Sequence, residues 1–192
     1  TNVMLQSATT GLVAVGMTFV IITGGIDLSV GSIVALASAL GAGIMKDAMK
    51  SMPTGWAIVV SILIMLAIGT AIGLLQGLLI SMLRMPAFIV TLAGMSIARS
   101  LTMVYTGGKT ISGLPEEFAS FGSNRIGGWL PVPVIILIAI FLISFYVLQY
   151  TALGRSLYAL GGNREAAKLS GINTTQVETI TYAISGLASG IA

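Results

Sequence analysis

In this chain of 192 residues 56% are hydrophobic, only 8% are charged, and the mean hydropathy is +1.02. Soluble domains carry roughly a quarter charged residues, so nine basic and six acidic side chains cannot build a water-facing surface, and most of this surface faces lipid or apolar protein. The net charge of +3 comes with no basic run to follow a nucleic-acid backbone. The absence of cysteine and histidine removes disulfides, thiolate nucleophiles, imidazole acid–base chemistry and most zinc or haem sites.

About 20 apolar residues cross the hydrocarbon core, and the charge-free intervals place the spans. Residues 1–45 hold a single charge, Asp27, and accommodate two short spans near 8–25 and 28–45, parted by a break at 23–29. Residues 51–83 are uncharged; a helix that long exceeds the bilayer, so it tilts, ends early or breaks, and 56–82 is its expected extent. Arg84 and Pro86 punctuate the chain before a fourth span at 86–106. A fifth falls at 131–152, and a sixth begins near Gln176 and is incomplete. The expected fold class is an all-α polytopic bundle. No positively charged leader is visible, the first residue is Thr1, and the last lies within an apolar run, so a piece of a longer protein is expected.

Three polar segments separate the spans. Residues 46–53 read as a short surface loop. In 107–129 a short interfacial helix is expected near 115–121: Pro115 suits its first position, Glu116 and Glu117 complement its positive end, Gly122 closes it, and Phe118 and Phe121 share a face. Gly107, Gly108, Lys109 and Thr110 imitate the end of a phosphate-binding loop, but the first glycine that loop needs would stand at Met103, and no strand precedes it. The chain is not expected to bind ATP. In 153–178, Asn163 is placed to cap a short helix with Glu165 in its first turn, Lys168 in its last and Gly171 at its stop. Thr175 and Glu178 have the spacing of a capping box for the next helix. A capped two-turn helix between spans is more than a connection requires, and it reads as a surface built to touch something outside the membrane.

Within the spans, Gly69, Gly73 and Gly77 form a small-xxx-small stripe that admits another helix closely. Gln76 beside it either bonds across a helix interface or faces a pore. Asp27 is the costliest residue to bury, at about 2.5–3.5 kcal/mol on insertion scales. Three readings stay open for it: a cap for a helix starting at Leu28, accepting the N–H groups of Ser29 and Val30; a solute contact; or a buried partner of Arg99. As a cap alone, Asp27→Leu would cost about 0.5–2 kcal/mol. Arg99 lies about 10 Å inside its span, within reach of snorkelling or of a partner in the bundle. The positive-inside rule gives a tie between the two faces.

The run from Gly24 to Ser32 (GGIDLSVGS) and that from Leu160 to Ile172 (LGGNREAAKLSGI) closely resemble the permease subunits of bacterial ABC importers for ribose and related monosaccharides. Residues 13–18, 86–92 and 99–106 fit the same family. The resemblance implies roughly ten spans per subunit, so residues 1–192 would be one transmembrane permease domain lacking its first span and C-terminal half. It further implies a homodimer of permeases in the bacterial inner membrane, cytoplasmic ATP-binding subunits that hold ATP and magnesium, and a periplasmic sugar-binding protein. On the same resemblance, Gly161, Gly162, Asn163, Arg164, Glu165, Ala166, Ala167, Lys168, Ser170 and Gly171 couple to the ATPase, which puts 153–178 in the cytoplasm and 107–129 in the periplasm. Glu116 and Glu117 then meet the binding protein, while Asp27, Ser29, Gln76 and Arg99 belong to the translocation path or its support. A nucleoside, branched-chain amino acid or signalling-sugar permease of the same superfamily is the near alternative, and an ion-coupled secondary transporter the distant one.

Overall fold

The computed structural model describes residues 2–126 and 130–192. Among them the helices are α1 (Asn2–Ile22), α2 (Val30–Ala48), α3 (Thr54–Ser81), α4 (Ala87–Thr106), α5 (Glu116–Ser123), α6 (Val132–Tyr150), α7 (Ala152–Gly162), α8 (Arg164–Leu169) and α9 (Thr174–Ile191). A two-residue antiparallel pairing, β1 (Arg125–Ile126) with β2 (Leu130–Pro131), interrupts an otherwise helical chain. Five helices, α1 to α4 and α6, are long and apolar enough to cross a membrane. The predicted spans fall on them, with ends shifted by up to six residues. Helix α3 neither breaks nor ends early: its 28 residues reach about 42 Å against a core of about 30 Å, so it tilts or projects.

Helix α9 is the sixth expected span, and it is the centre of the bundle. Thr179, Thr181, Tyr182, Ser185 and Ser189 are all buried on it. That polar content lowers its hydropathy, because it is shielded from lipid by α3 and α1. The α3 stripe fits against it. A Cβ added at Gly69 would strike the Gly186 carbonyl, at Gly73 the Tyr182 carbonyl, and at Gly77 the Thr179 backbone. Gly186 and Gly190 reciprocate against the Gly69 and Met65 carbonyls. Two antiparallel backbones thus meet with no side chain between them, the geometry that lets helices attract in lipid without a hydrophobic driving force. At one end of this seam the Ser81 and Thr179 hydroxyls lie 2.7 Å apart.

Four local expectations are corrected. Residues 153–162, expected as loop, form α7: Thr151 caps it by accepting the Gly154 N–H at 3.3 Å, and Leu157 and Leu160 pack with Phe19 of α1 and Val177 of α9. The capping box of Thr175 and Glu178 does not form. Asn173 caps α9 instead, accepting the Gln176 N–H at 3.1 Å, and the Glu178 carboxylate is engaged elsewhere. Helix α5 starts one residue after Pro115 and runs through Gly122 to Ser123; the side chain of Phe121 lies outside the described residues, while Phe118 is half-buried. Helix α2 extends into the expected 46–53 loop, so Lys46 and Asp47 occupy its last turn and Lys50 closes on Asp47 at 2.7 Å.

Candidate functional site

Two constructions stand out, a polar break inside the bundle and a structured protrusion at one end of it.

The break lies at 23–29, between α1 and α2. Gly24 takes a left-handed φ of 76°, which glycine adopts without steric penalty. Asp27 and Ser29 are buried. Helix α2 begins at Val30, two residues later than expected, and Asp27 is not a simple cap. Its Oδ1 accepts the Ser29 N–H at 2.9 Å and the Ser29 hydroxyl at 2.7 Å. Its Oδ2 goes across the bundle rather than to Val30, accepting the Ser185 hydroxyl of α9 at 2.8 Å. Beside it the Tyr182 hydroxyl donates to the Ile26 carbonyl at 3.3 Å. Three donors converge on one carboxylate, which is how a buried acidic group is tolerated without a cation. The pairing with Arg99 is overturned. Arg99 is exposed on α4 beside Ser96 and Ser100, and both Asp27 oxygens are already engaged by serines.

Gln76 of α3 extends the cluster. Ser29 has one hydroxyl proton and two acceptors in reach, Asp27 Oδ1 and, at 3.0 Å, Gln76 Oε1. The carboxylate is the stronger acceptor, so the amide is better served with its NH2 turned to the Ser29 oxygen, which accepts as well as donates. In either orientation one end of the amide meets Ser29, and the other lies buried and unpartnered beside Gly94. That end faces a cleft of about 300 Å³ between α2, α3 and α4, whose lining includes Leu36, Leu75, Ile89 and Ile97 and no charged side chain.

The protrusion is built from α7 and α8. Gly161 lets α7 press on the Ile22 carbonyl at the end of α1, where any Cβ would collide, whereas Gly162 has open space around it. Asn163 caps α8 as predicted, accepting the Ala166 N–H at 3.0 Å. At the other end Ser170 is the C-cap, its hydroxyl donating to the Ala166 carbonyl at 2.9 Å. Gly171 follows at φ 83°, its N–H bonded to Lys168 O and that of Ile172 to Ala167 O. These two bonds are those of a Schellman stop. Ala167 is buried against the body of the protein, so of the two alanines implied to couple to the ATPase only Ala166 is exposed. The exposed side carries Glu165, Ala166, Lys168 and Leu169, and Leu169 is 88% exposed.

Sequence reasoning missed two residues here. Leu169 reads as part of an apolar pattern until the helix is seen to be solvent-facing. Glu178 was assigned to a capping box, but it receives a bidentate pair from Arg164 at 3.1 and 2.6 Å. The hydrogen bond to Glu178 raises the Arg164 pKa above its ordinary value. Arg164, Glu165, Lys168, Thr174 and Glu178 line a polar cleft of about 450 Å³ together with Arg84, a non-glycine residue at φ 53°. At the opposite end of the bundle Lys46 donates to the Ser112 carbonyl at 3.1 Å, and Glu116 and Glu117 sit exposed in the first turn of α5.

Spanning helices joined by a bare glycine seam, a hydroxyl-lined break within them and a rigid protrusion at one end define a multi-pass membrane protein. The whole chain, residues 1–192, matches the family described as branched-chain amino acid transport system / permease component. It belongs to that permease family and resides in the bacterial inner (plasma) membrane. It is 46% identical over 193 residues to the ribose import permease protein RbsC of Bacillus subtilis (strain 168), taking in all of this chain and 58% of that protein. The RbsC of Escherichia coli (strain K12) is 42% identical over 194 residues with the same coverage. The xylose transport system permease protein XylH of that strain is 29% identical over 251 residues, covering 62% of its length. The chain therefore spans less than two thirds of these relatives. No solved structure matches it.

Proposed function

We propose that this chain is part of the permease subunit of an ABC importer for ribose or a related monosaccharide. In the assembly, two permeases form the path, cytoplasmic subunits hold ATP and magnesium and hydrolyse the nucleotide, and a periplasmic binding protein delivers the sugar. The observation that carries the reading is α8. It is fixed at both ends, by Asn163 and by the Gly171 stop, and seated through buried Ala167. It presents Ala166 and Leu169, three residues apart, on an exposed face. A rigid knob with one large apolar side chain suits a groove on a partner better than water. The cleft at Gln76 holds no charged side chain, which disfavours an amino acid, whose two charges would each need a partner there.

The test uses the full-length permease assembled with its ATPase in lipid vesicles. Leu169→Glu or Ala166→Trp is expected to lower ATP-driven uptake at least tenfold, since a central apolar anchor contributes about 2 kcal/mol or more, while membrane insertion is retained. Wild-type uptake by both variants would remove α8 as the docking element.

On this reading α5 is periplasmic, and its Glu116 and Glu117 meet basic residues of the binding protein. Reversing both charges to lysine is expected to slow association several-fold at low salt and little at high salt. Stopped-flow association rates measured across ionic strength check this. An unchanged salt dependence assigns both glutamates to solvent.

A further inference from the structure

One face of α9 joins the protrusion to the break. Glu178, Tyr182 and Ser185 stand at i, i+4 and i+7 and so lie along one side of the helix. Glu178 holds α8 through both Arg164 nitrogens. One turn deeper Tyr182 holds the Ile26 carbonyl, and two turns deeper Ser185 holds the Asp27 carboxylate. Asp27 in turn holds Ser29, the residue before α2, and Ser29 meets Gln76 at the cleft between α2, α3 and α4.

Resting on the coupling role proposed for α8, we infer that α9 is the lever that carries its displacement to the break at 23–29, with Glu178 and Ser185 as positioning residues. Three physical points support it. The Arg164–Glu178 contact is bidentate, and the Glu178 side chain is only 13% exposed, so it fixes orientation as well as distance, unlike an isolated surface pair. Helix α9 cannot move independently of α3, because their backbones interlock along the glycine seam; a push at its start moves a two-helix body rather than bending one helix. The break is the compliant element. Residues 23–29 lie outside both helices, are bonded to α1 through Gly24 and Gly25 and to α2 through Ser29, and are held to α9 by the Tyr182 and Ser185 hydroxyls. Movement of the α3–α9 body therefore carries the break and the head of α2 with it relative to α4, and so reshapes the cleft at Gln76.

The experiment uses the full-length permease in complex with its ATPase in nanodiscs, and these 192 residues contribute no native cysteine. Spin labels are placed at Ile26, which is half exposed, and at the exposed Val104 near the far end of α4. Their separation is measured by pulsed dipolar spectroscopy with and without a non-hydrolysable ATP analogue. The lever predicts a nucleotide-dependent change in the Ile26–Val104 distance that disappears in Glu178→Gln and in Ser185→Ala. Uptake per ATP hydrolysed is expected to fall at least tenfold in each. Arg164→Glu combined with Glu178→Arg should restore at least half of the loss. A distance change that persists in Glu178→Gln, or no change in the unsubstituted complex, overturns the inference. So does uptake that the exchanged pair fails to rescue. Failure of the complex to form even with the unsubstituted permease overturns the coupling role of α8 instead, and co-purification of the ATPase separates the two failures.

Discussion

Gly73→Leu is expected to separate α3 from α9 and to destabilise the bundle by about 3 kcal/mol or more. Overpacking a core costs about 1–3 kcal/mol when side chains can move aside. Here the first added carbon would meet the Tyr182 carbonyl and the Gly186 Cα, which are backbone atoms of a helix and cannot rotate away. The axes must part, and the loss then spreads along the seam to Gly69, Gly77, Gly186 and Gly190. Gly55→Ala is the matched control. Gly55 lies in the first turn of α3, and nothing stands within 4 Å of its would-be Cβ. That variant should be neutral or slightly more stable, in line with the gain of up to about 1 kcal/mol for Gly→Ala in a helix. Thermal unfolding of the full-length protein in detergent checks both. Equal midpoints for Gly73→Leu and Gly55→Ala would mean that the seam does not hold the bundle together.

The seam also shows what kind of information a membrane sequence carries. The stripe at Gly69, Gly73 and Gly77 was legible because a four-residue repeat of the smallest side chain has few purposes in lipid. Its partner was not, because α9 displays Thr179, Tyr182, Gly186 and Gly190, an unequal set that becomes a surface only against another helix. The same division runs through the protrusion. The caps of α8 depend on residues within one turn of each other, so Asn163 and Gly171 could be assigned from spacing. Leu153, Leu157 and Leu160 carried the helical period of α7, but a segment rich in glycine and flanked by charges reads as loop. Glu178 and Ala167 were misjudged because each had a plausible local role. Their actual neighbours, Arg164 across a turn and the body of the protein behind α8, follow only from the tertiary fold. Arg99 illustrates the converse. A cation and a carboxylate in one apolar chain suggest each other on charge alone, yet hydroxyls satisfied Asp27 first.

Asp27 is the residue for which the fold most changes the expected consequence. Treated as a helix cap, its replacement by leucine costs about 0.5–2 kcal/mol. In the structure leucine would leave three donors without their acceptor, the Ser29 N–H, the Ser29 hydroxyl and the Ser185 hydroxyl, at a buried site. An unsatisfied buried donor costs about 1–3 kcal/mol. The two hydroxyls can rotate to other acceptors and recover part of this, so Asp27→Leu is expected to lose about 3–5 kcal/mol and to disconnect α2 from α9. Asp27→Asn keeps the shape and one acceptor oxygen for Ser29. Its NH2 meets the Ser185 oxygen, which accepts as well as donates, so the loss should be nearer 1 kcal/mol. The order of the two variants is the test, read as unfolding midpoints of the full-length protein and as solute uptake in vesicles. If Asp27→Leu is as stable as Asp27→Asn, the three hydrogen bonds contribute nothing. If both unfold alike far below the parent, the carboxylate's charge rather than its bonding geometry holds the break in place.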